Sequence, residues 1–136
     1  MEINKFSEMF YQNKLKKPIC LSSGVYNGYN FWIVSYGSHP CAYVAIPSTH
    51  VLYNHCNYED FDKLNVHGGI TYYTYGLHDI APRNKFIIGW DYNHCTDFNS
   101  VYNYYESNKK WTVKEMLEET FNVINQLIAI QVNTNE

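Results

Sequence analysis

Hydrophobic and polar residues alternate in short runs through the first two-thirds of the chain, and this spacing predicts β-strands. Aromatic and β-branched residues fill residues 25–36 between glycines, which is typical of one or two strands. Further strands are predicted over residues 41–46, which end at Pro47, and over residues 66–75. The sequence therefore predicts a sheet.

Residues 86–90 form the strongest predicted strand. Because side chains alternate across a strand, the even-numbered residues from Phe86 to Trp90 should face one side of the sheet. Ile87, Gly89 and Asp91 should face the other side.

In the last third of the chain, hydrophobic residues recur at helical spacing. Thr112 and Glu115 form a capping box, and a five-turn apolar stripe follows it. Glu118 and Glu119 are expected on the polar side of that helix. A short amphipathic helix is also predicted over residues 2–17, before Pro18.

These elements predict an α+β fold in one domain, residues 1–136. The expected architecture is a mostly antiparallel sheet packed by the long C-terminal helix, with the short N-terminal helix in addition. Residues 48–63 show neither period and are rich in polar residues, so a long loop is predicted there. Long loops in compact domains are often functional.

The amino-acid composition argues against several classes of function. The net charge is −3 and Arg83 is the only arginine, so direct DNA binding is not expected. No run approaches the roughly 20 apolar residues that span a bilayer, and the four cysteines are scattered without a C-x-x-C pair. A soluble, cytoplasmic protein with reduced thiols is predicted.

Two motifs place polar groups beside glycines at strand ends: NVHGGITY, residues 65–72, and IIGWDYNHCTD, residues 87–97. If their strands are neighbours, both motifs lie at one edge of the sheet. The candidate catalytic and metal-binding residues are then His67, Asp91, His94 and Asp97. Two imidazoles and two carboxylates suit zinc, manganese or iron.

Ligand-binding roles are predicted for four further residues. Gly68 and Gly69 lack Cβ atoms and admit close approach of a ligand. His50 follows a strand end, and an outward-facing Tyr72 would stack on a flat ligand. A bound metal would activate water beside a carboxylate base, so hydrolysis of an ester or phosphoester is the simplest reaction.

A structural interpretation of the same motifs stays open. Asp91 followed by Asn93 is typical of an Asx-turn, and His94 would then bond a loop carbonyl. His67 could equally be a structural imidazole beside a glycine bulge. Metal-free ligand binding is the third alternative.

The motifs resemble those of a group of small, mostly uncharacterised phage and prophage proteins. Residues 47–50 match a P-x-x-H strand end, residues 67–72 match H-G-G-[LI]-T-[FY], and residues 89–97 match G-[FW]-D-x-x-H-x-x-D. Val51 departs from the group, which has proline there, and this puts the role of His50 in doubt. The resemblance implies an accessory protein that acts against host defences in the host cytoplasm.

Two functional hypotheses follow. The first is a metal-assisted hydrolase of a phosphoester or small nucleotide. The second is a non-enzymatic binding protein, expected as a homodimer, that sequesters a nucleotide signal or blocks a host defence protein through tyrosine faces and the 48–63 loop. Scarce arginine argues against sequestering anions, whereas abundant tyrosine favours an interface.

Overall fold

The computed structural model describes residues 17–100 and 108–135. It contains a five-stranded sheet and one long helix in that part of the chain. The strands are β1 (Ile19–Tyr26), β2 (Tyr29–Ser35), β3 (Pro40–Ile46), β4 (Tyr72–Leu77) and β5 (Ala81–Asp91), and the helix is α1 (Val113–Asn135).

The strand order in the sheet is β1-β2-β3-β5-β4, and every neighbouring pair is antiparallel. The predicted α+β fold, an antiparallel sheet packed by the C-terminal helix, is confirmed. The N-terminal helix predicted before Pro18 lies outside the described residues, apart from Lys17. No helix within the described ranges is long and apolar enough to span a membrane.

Helix α1 covers one face of the sheet, where Phe86, Ile88 and Trp90 of β5 join a core with Met116 and Leu127 of α1. On the opposite face, Ile87 belongs to a second apolar cluster formed by the following residues: Val34, Cys41, Tyr43, Ala45, Leu77 and Ala81. The alternation predicted for β5 is therefore confirmed. All four cysteines are free.

The capping box at the start of α1 forms as predicted. The Glu115 amide donates to Thr112 Oγ1 at 3.1 Å, and the Thr112 amide donates to Glu115 Oε1 at 3.0 Å. Burial raises the pKa of the Glu115 carboxyl, but hydrogen bonds from Lys109 and Thr112 outweigh it and hold the pKa below its usual range. These hydrogen bonds therefore fix the residue at which helix α1 begins.

One strand boundary was predicted wrongly. Strand β4 begins at Tyr72, and residues 66–69 form a turn in which the Gly69 amide donates to the Val66 carbonyl at 3.0 Å. Gly68 and Gly69 have φ of +70° and +81°, which a strand does not allow. This turn carries His67 off the edge of the sheet and toward the end of β5.

Candidate metal centre

His67, His94 and Asp97 come together where β5 ends. Each offers one potential metal-ligating atom, and these atoms all lie within 4.8 Å of one another. His67 Nε2 is 2.7 Å from Asp97 Oδ2, and the two imidazole rings are 5.2 Å apart at 75°. The structure therefore brings together three of the four residues predicted as ligands. This group could hold a metal ion.

A tight turn after β5 produces the arrangement. The Asn93 amide donates to Asp91 Oδ1 at 3.1 Å, so the Asx-turn itself forms as predicted. Farther on, the His94 amide donates to Asp97 Oδ2 at 3.0 Å, and the Asp97 amide donates to the His94 carbonyl at 2.9 Å. These bonds turn both side chains back toward His67. The turn after β5 therefore also positions the side chains of the cluster.

Asp97 is the fixed centre of the cluster. Its side chain is buried and accepts hydrogen bonds from His67 Nε2, the His94 amide and Trp111 Nε1, the last at 2.8 Å. A buried carboxylate needs such donors to offset its loss of solvation. Because it faces the His67 imidazole, the Nε2 of that ring carries the proton.

His94 Nε2 is buried and lacks a hydrogen-bond partner among the described residues. Asp91 Oδ1 lies 3.4 Å away, which is an ion-pair distance, but the angles do not make it a hydrogen bond. The ring fits only because Gly68 is a glycine: a Cβ there would lie 1.8 Å from His94 Nε2. A buried nitrogen without a hydrogen-bond partner is uncommon in proteins, so this atom needs a specific explanation.

Asp91 stands apart from the other three predicted residues. It is the last residue of β5, and its Oδ2 accepts a hydrogen bond from Thr71 Oγ1 at 3.1 Å. It is not part of the group of ligating atoms, although its Oδ1 approaches His94. The alternation along β5 places it on the sheet face opposite α1, so it reaches the cluster only from the side.

Three residues that the sequence analysis did not select support His67. The Tyr92 ring stacks on the imidazole at 5.2 Å and 12°, and the Trp111 ring lies 4.9 Å away. Glu119 accepts hydrogen bonds from the His67 amide and the Tyr92 hydroxyl. Burial, followed by the Glu119 charge, raises the pKa of Tyr92 far above its usual range.

The Glu119 contact corrects its placement on the polar side of α1. Its sequence position did carry a signal, because it lies three residues after Met116 and four before Val123, both fully buried. Glu119 therefore borders the apolar stripe and reaches the end of the sheet.

His50 was predicted to bind a ligand, and the structure places it away from the cluster, with both ring nitrogens in internal hydrogen bonds. Its Nδ1 accepts from the Leu52 amide at 3.0 Å, so its Nε2 carries the proton and donates to the Leu127 carbonyl at 2.7 Å. Leu127 is eight residues along α1 from Glu119, roughly 12 Å away at the helical rise. His50 is a buried structural residue that joins the 48–63 loop to the helix.

Tyr72 and Gly69 also lie apart from the cluster. The Tyr72 hydroxyl donates to the Gly76 carbonyl at 2.6 Å, and its ring packs edge-on against Tyr43 on the face opposite α1. A Cβ on Gly69 would lie 3.4 Å from the Tyr58 hydroxyl. Of the four residues predicted to bind a ligand, Gly68 alone contacts the His–Asp cluster.

No family model, curated protein or solved structure matches this chain.

Proposed function

We propose that the protein is a metal-dependent hydrolase whose metal is held by His67, His94 and Asp97. The observation that carries the proposal is the His94 imidazole: its buried Nε2 has no hydrogen-bond partner among the described residues, and one nitrogen of the ring lies within 4.8 Å of potential ligand atoms of His67 and Asp97. A metal ion would give that nitrogen the partner it lacks.

The donor set and the spacing fit such an ion. Two imidazole nitrogens and one carboxylate oxygen, with further positions left for water, are the ligands of many catalytic zinc sites and also suit manganese. Ligands about 2 Å from one tetrahedral ion lie roughly 3.3 Å apart, so the 2.7 Å contact between His67 and Asp97 needs to lengthen slightly. The ion would replace the proton on His67 Nε2.

The residues around the cluster support hydrolysis. A bound divalent ion lowers the pKa of water and stabilises negative charge on a phosphoryl or carbonyl oxygen. Asp91 is the proposed general base, because the Asn93 amide and the Thr71 hydroxyl fix its carboxylate beside His94. Stacking on Tyr92 and the hydrogen bond to Asp97 hold His67 in place. The proposed substrate is a phosphoester or small nucleotide.

Metal content tests the proposal directly. Tag-free protein is analysed for bound metal after incubation with zinc or manganese, beside His94→Ala and His55→Ala variants. His55 is a matched control, because it is a similarly exposed histidine paired with a different carboxylate, Asp60. Stoichiometric metal in the wild type and the His55 variant, but not in the His94 variant, is expected.

Circular dichroism shows whether each variant is folded. Equal metal content in all three folded proteins, or none in any, would contradict the assigned centre. With the metal-loaded protein, an Asp91→Asn variant should hydrolyse a phosphodiester such as bis-p-nitrophenyl phosphate about 100-fold or more slowly than the wild type, with unchanged metal content.

A second candidate function, binding without turnover, is favoured by one observation. Asp97 already accepts three hydrogen bonds, so the cluster is stable as a hydrogen-bonded unit without a metal. The protein would then sequester a nucleotide or block a host defence protein, as the resemblance to phage accessory proteins suggests. Saturable ligand binding by metal-free protein, with no hydrolysis after metal addition, would favour this function.

A further inference from the structure

A cavity of about 500 Å³ lies on the sheet face opposite α1, near the end of β5. Pockets of this size commonly hold small molecules. Its described lining residues are Tyr36, Ser38, His39, Cys41, Tyr43, Thr71, Tyr72, Trp90 and Asp91. Asp91 belongs both to this lining and to the surroundings of His94, so the cavity and the His–Asp cluster meet at one carboxylate.

Two tyrosine rings, nearly perpendicular to each other, form the floor of the cavity. Tyr43, Gly89 and Tyr72 lie side by side across β3, β5 and β4. A Cβ on Gly89 would lie 2.4 Å from the Tyr43 ring, so the glycine allows that ring to lie across the strand. The Tyr72 ring stands edge-on to it, with centroids 5.3 Å apart. The two rings form a corner suited to a planar ligand.

Aromatic and polar residues next to Tyr43 form another wall of the cavity. The Tyr36 ring stacks on His39 at 5.8 Å, and its hydroxyl is 2.6 Å from that of Tyr43. Ser38 Oγ lies 2.9 Å from His39 Nδ1 and fixes the imidazole. These contacts hold the tyrosine and histidine rings in defined positions before any ligand binds.

The charge of the cavity restricts its ligand. Burial lowers the pKa of His39, more than Asp91 and Asp97 raise it, so this imidazole is neutral at pH 7. Asp91 is then the one charged side chain among the described lining residues, which include no Lys or Arg. An anionic group would be repelled here, whereas N–H donors would be attracted to the carboxylate.

We propose that this cavity binds a neutral planar heteroaromatic ring with adjacent N–H donors, the chemistry of a guanine base. The ring would lie in the corner formed by Tyr43 and Tyr72, and its N–H groups would donate to Asp91. The Asp91 carboxylate accepts from the Asn93 amide and the Thr71 hydroxyl, and its two oxygens offer about four acceptor positions, so capacity remains for these donors.

Binding of guanosine to the full chain, measured by ligand-observed NMR with a chelator present, tests the inference independently of any metal. Inosine is the matched ligand, because it lacks the exocyclic amine. The expected result is saturable guanosine binding that is about tenfold or more tighter than inosine binding, since a hydrogen bond to a charged acceptor is lost in the second case.

Two variants and a control locate the ligand. Asp91→Asn and Tyr72→Leu should each weaken guanosine binding about tenfold or more, because one removes the charged acceptor and the other an aromatic wall. Tyr75→Leu is the control: Tyr75 lies on the same strand but packs against Phe86 on the face that α1 covers. It should leave binding unchanged.

Absence of guanosine binding would overturn the inference, as would equal binding of inosine or equal effects of the Tyr72 and Tyr75 substitutions. The guanosine-binding measurement does not depend on the metal content of the protein. A failure here therefore leaves the proposed metal centre standing, and loss of metal binding leaves this cavity standing.

Discussion

Gly68 determines how closely the chain can approach His94. It combines a positive φ of +70° with a Cβ position that is already occupied by the imidazole. Either property alone disfavours a side chain. Together they make this glycine the residue on which the geometry of the cluster depends most directly.

Gly68→Ala should therefore displace His94 and reduce metal binding. We expect destabilisation of about 1–3 kcal/mol from backbone strain, with a further cost from the displaced ring. The measurements are the free energy of unfolding by urea denaturation and the bound metal per chain.

Gly28→Ala is the matched control for this prediction. Gly28 also has a positive φ, +86°, but nothing lies within 4 Å of its Cβ position. Its substitution should cost backbone strain alone, about 1 kcal/mol, and leave metal content unchanged. Equal effects of the two substitutions would show that the His94 contact is unimportant.

At the level of single residues, the sequence predicted which residues form the cluster better than it predicted what each of them does. His67, His94 and Asp97 do meet, because β4 and β5 are neighbours and the turn after β5 is short. Asp91 is set apart by the alternation along β5, although the sequence analysis grouped it with the other three residues. The structural use of His50 could not be predicted, because it depends on a carbonyl 77 residues away in the chain.

Local sequence signals explain where helix α1 begins but did not reveal where strand β4 begins. Helix α1 starts where the capping box predicts, because both partners lie within four residues of each other. Strand β4 starts later than predicted, because the apolar pattern of residues 66–71 hides the two glycines' positive φ values. Hydrophobic spacing alone does not reveal where a chain leaves a sheet.

Thr112→Ala should destabilise the protein by about 1 kcal/mol, because it leaves a helix N-terminal amide without its acceptor. Thermal or urea unfolding measures this cost. The exposed Thr49, outside the helix, provides the control, and its replacement by alanine should change stability by less than about 0.5 kcal/mol. Equal losses in the two variants would argue against the capping role.

The whole molecule should lose stability in mild acid through His39. Its pKa in the folded protein is lowered below the ordinary 6.5, so the unfolded chain takes up a proton first as the pH falls. Stability is therefore fully present above about pH 7 and declines from about pH 6.5 down to the folded pKa.

Replacing His39 by Gln should reduce this decline. The free energy of unfolding is compared at about pH 7.5 and pH 5.5 for the wild type, His39→Gln and His78→Asn. His78 is exposed, and asparagine tolerates its positive φ of 23°. An unchanged pH dependence in the His39 variant, matching that of the His78 variant, would remove His39 as the cause.

The strand order also has a consequence for how the chain folds. Strands β1 to β3 pair in sequence order and β4 pairs with β5 through a short turn, so the pairing of β3 with β5 is the contact that closes a long loop. Such closure slows folding relative to local pairing. His67 and Asp97 flank the β4–β5 hairpin, so this local pairing alone is enough to bring the two ends of the cluster together.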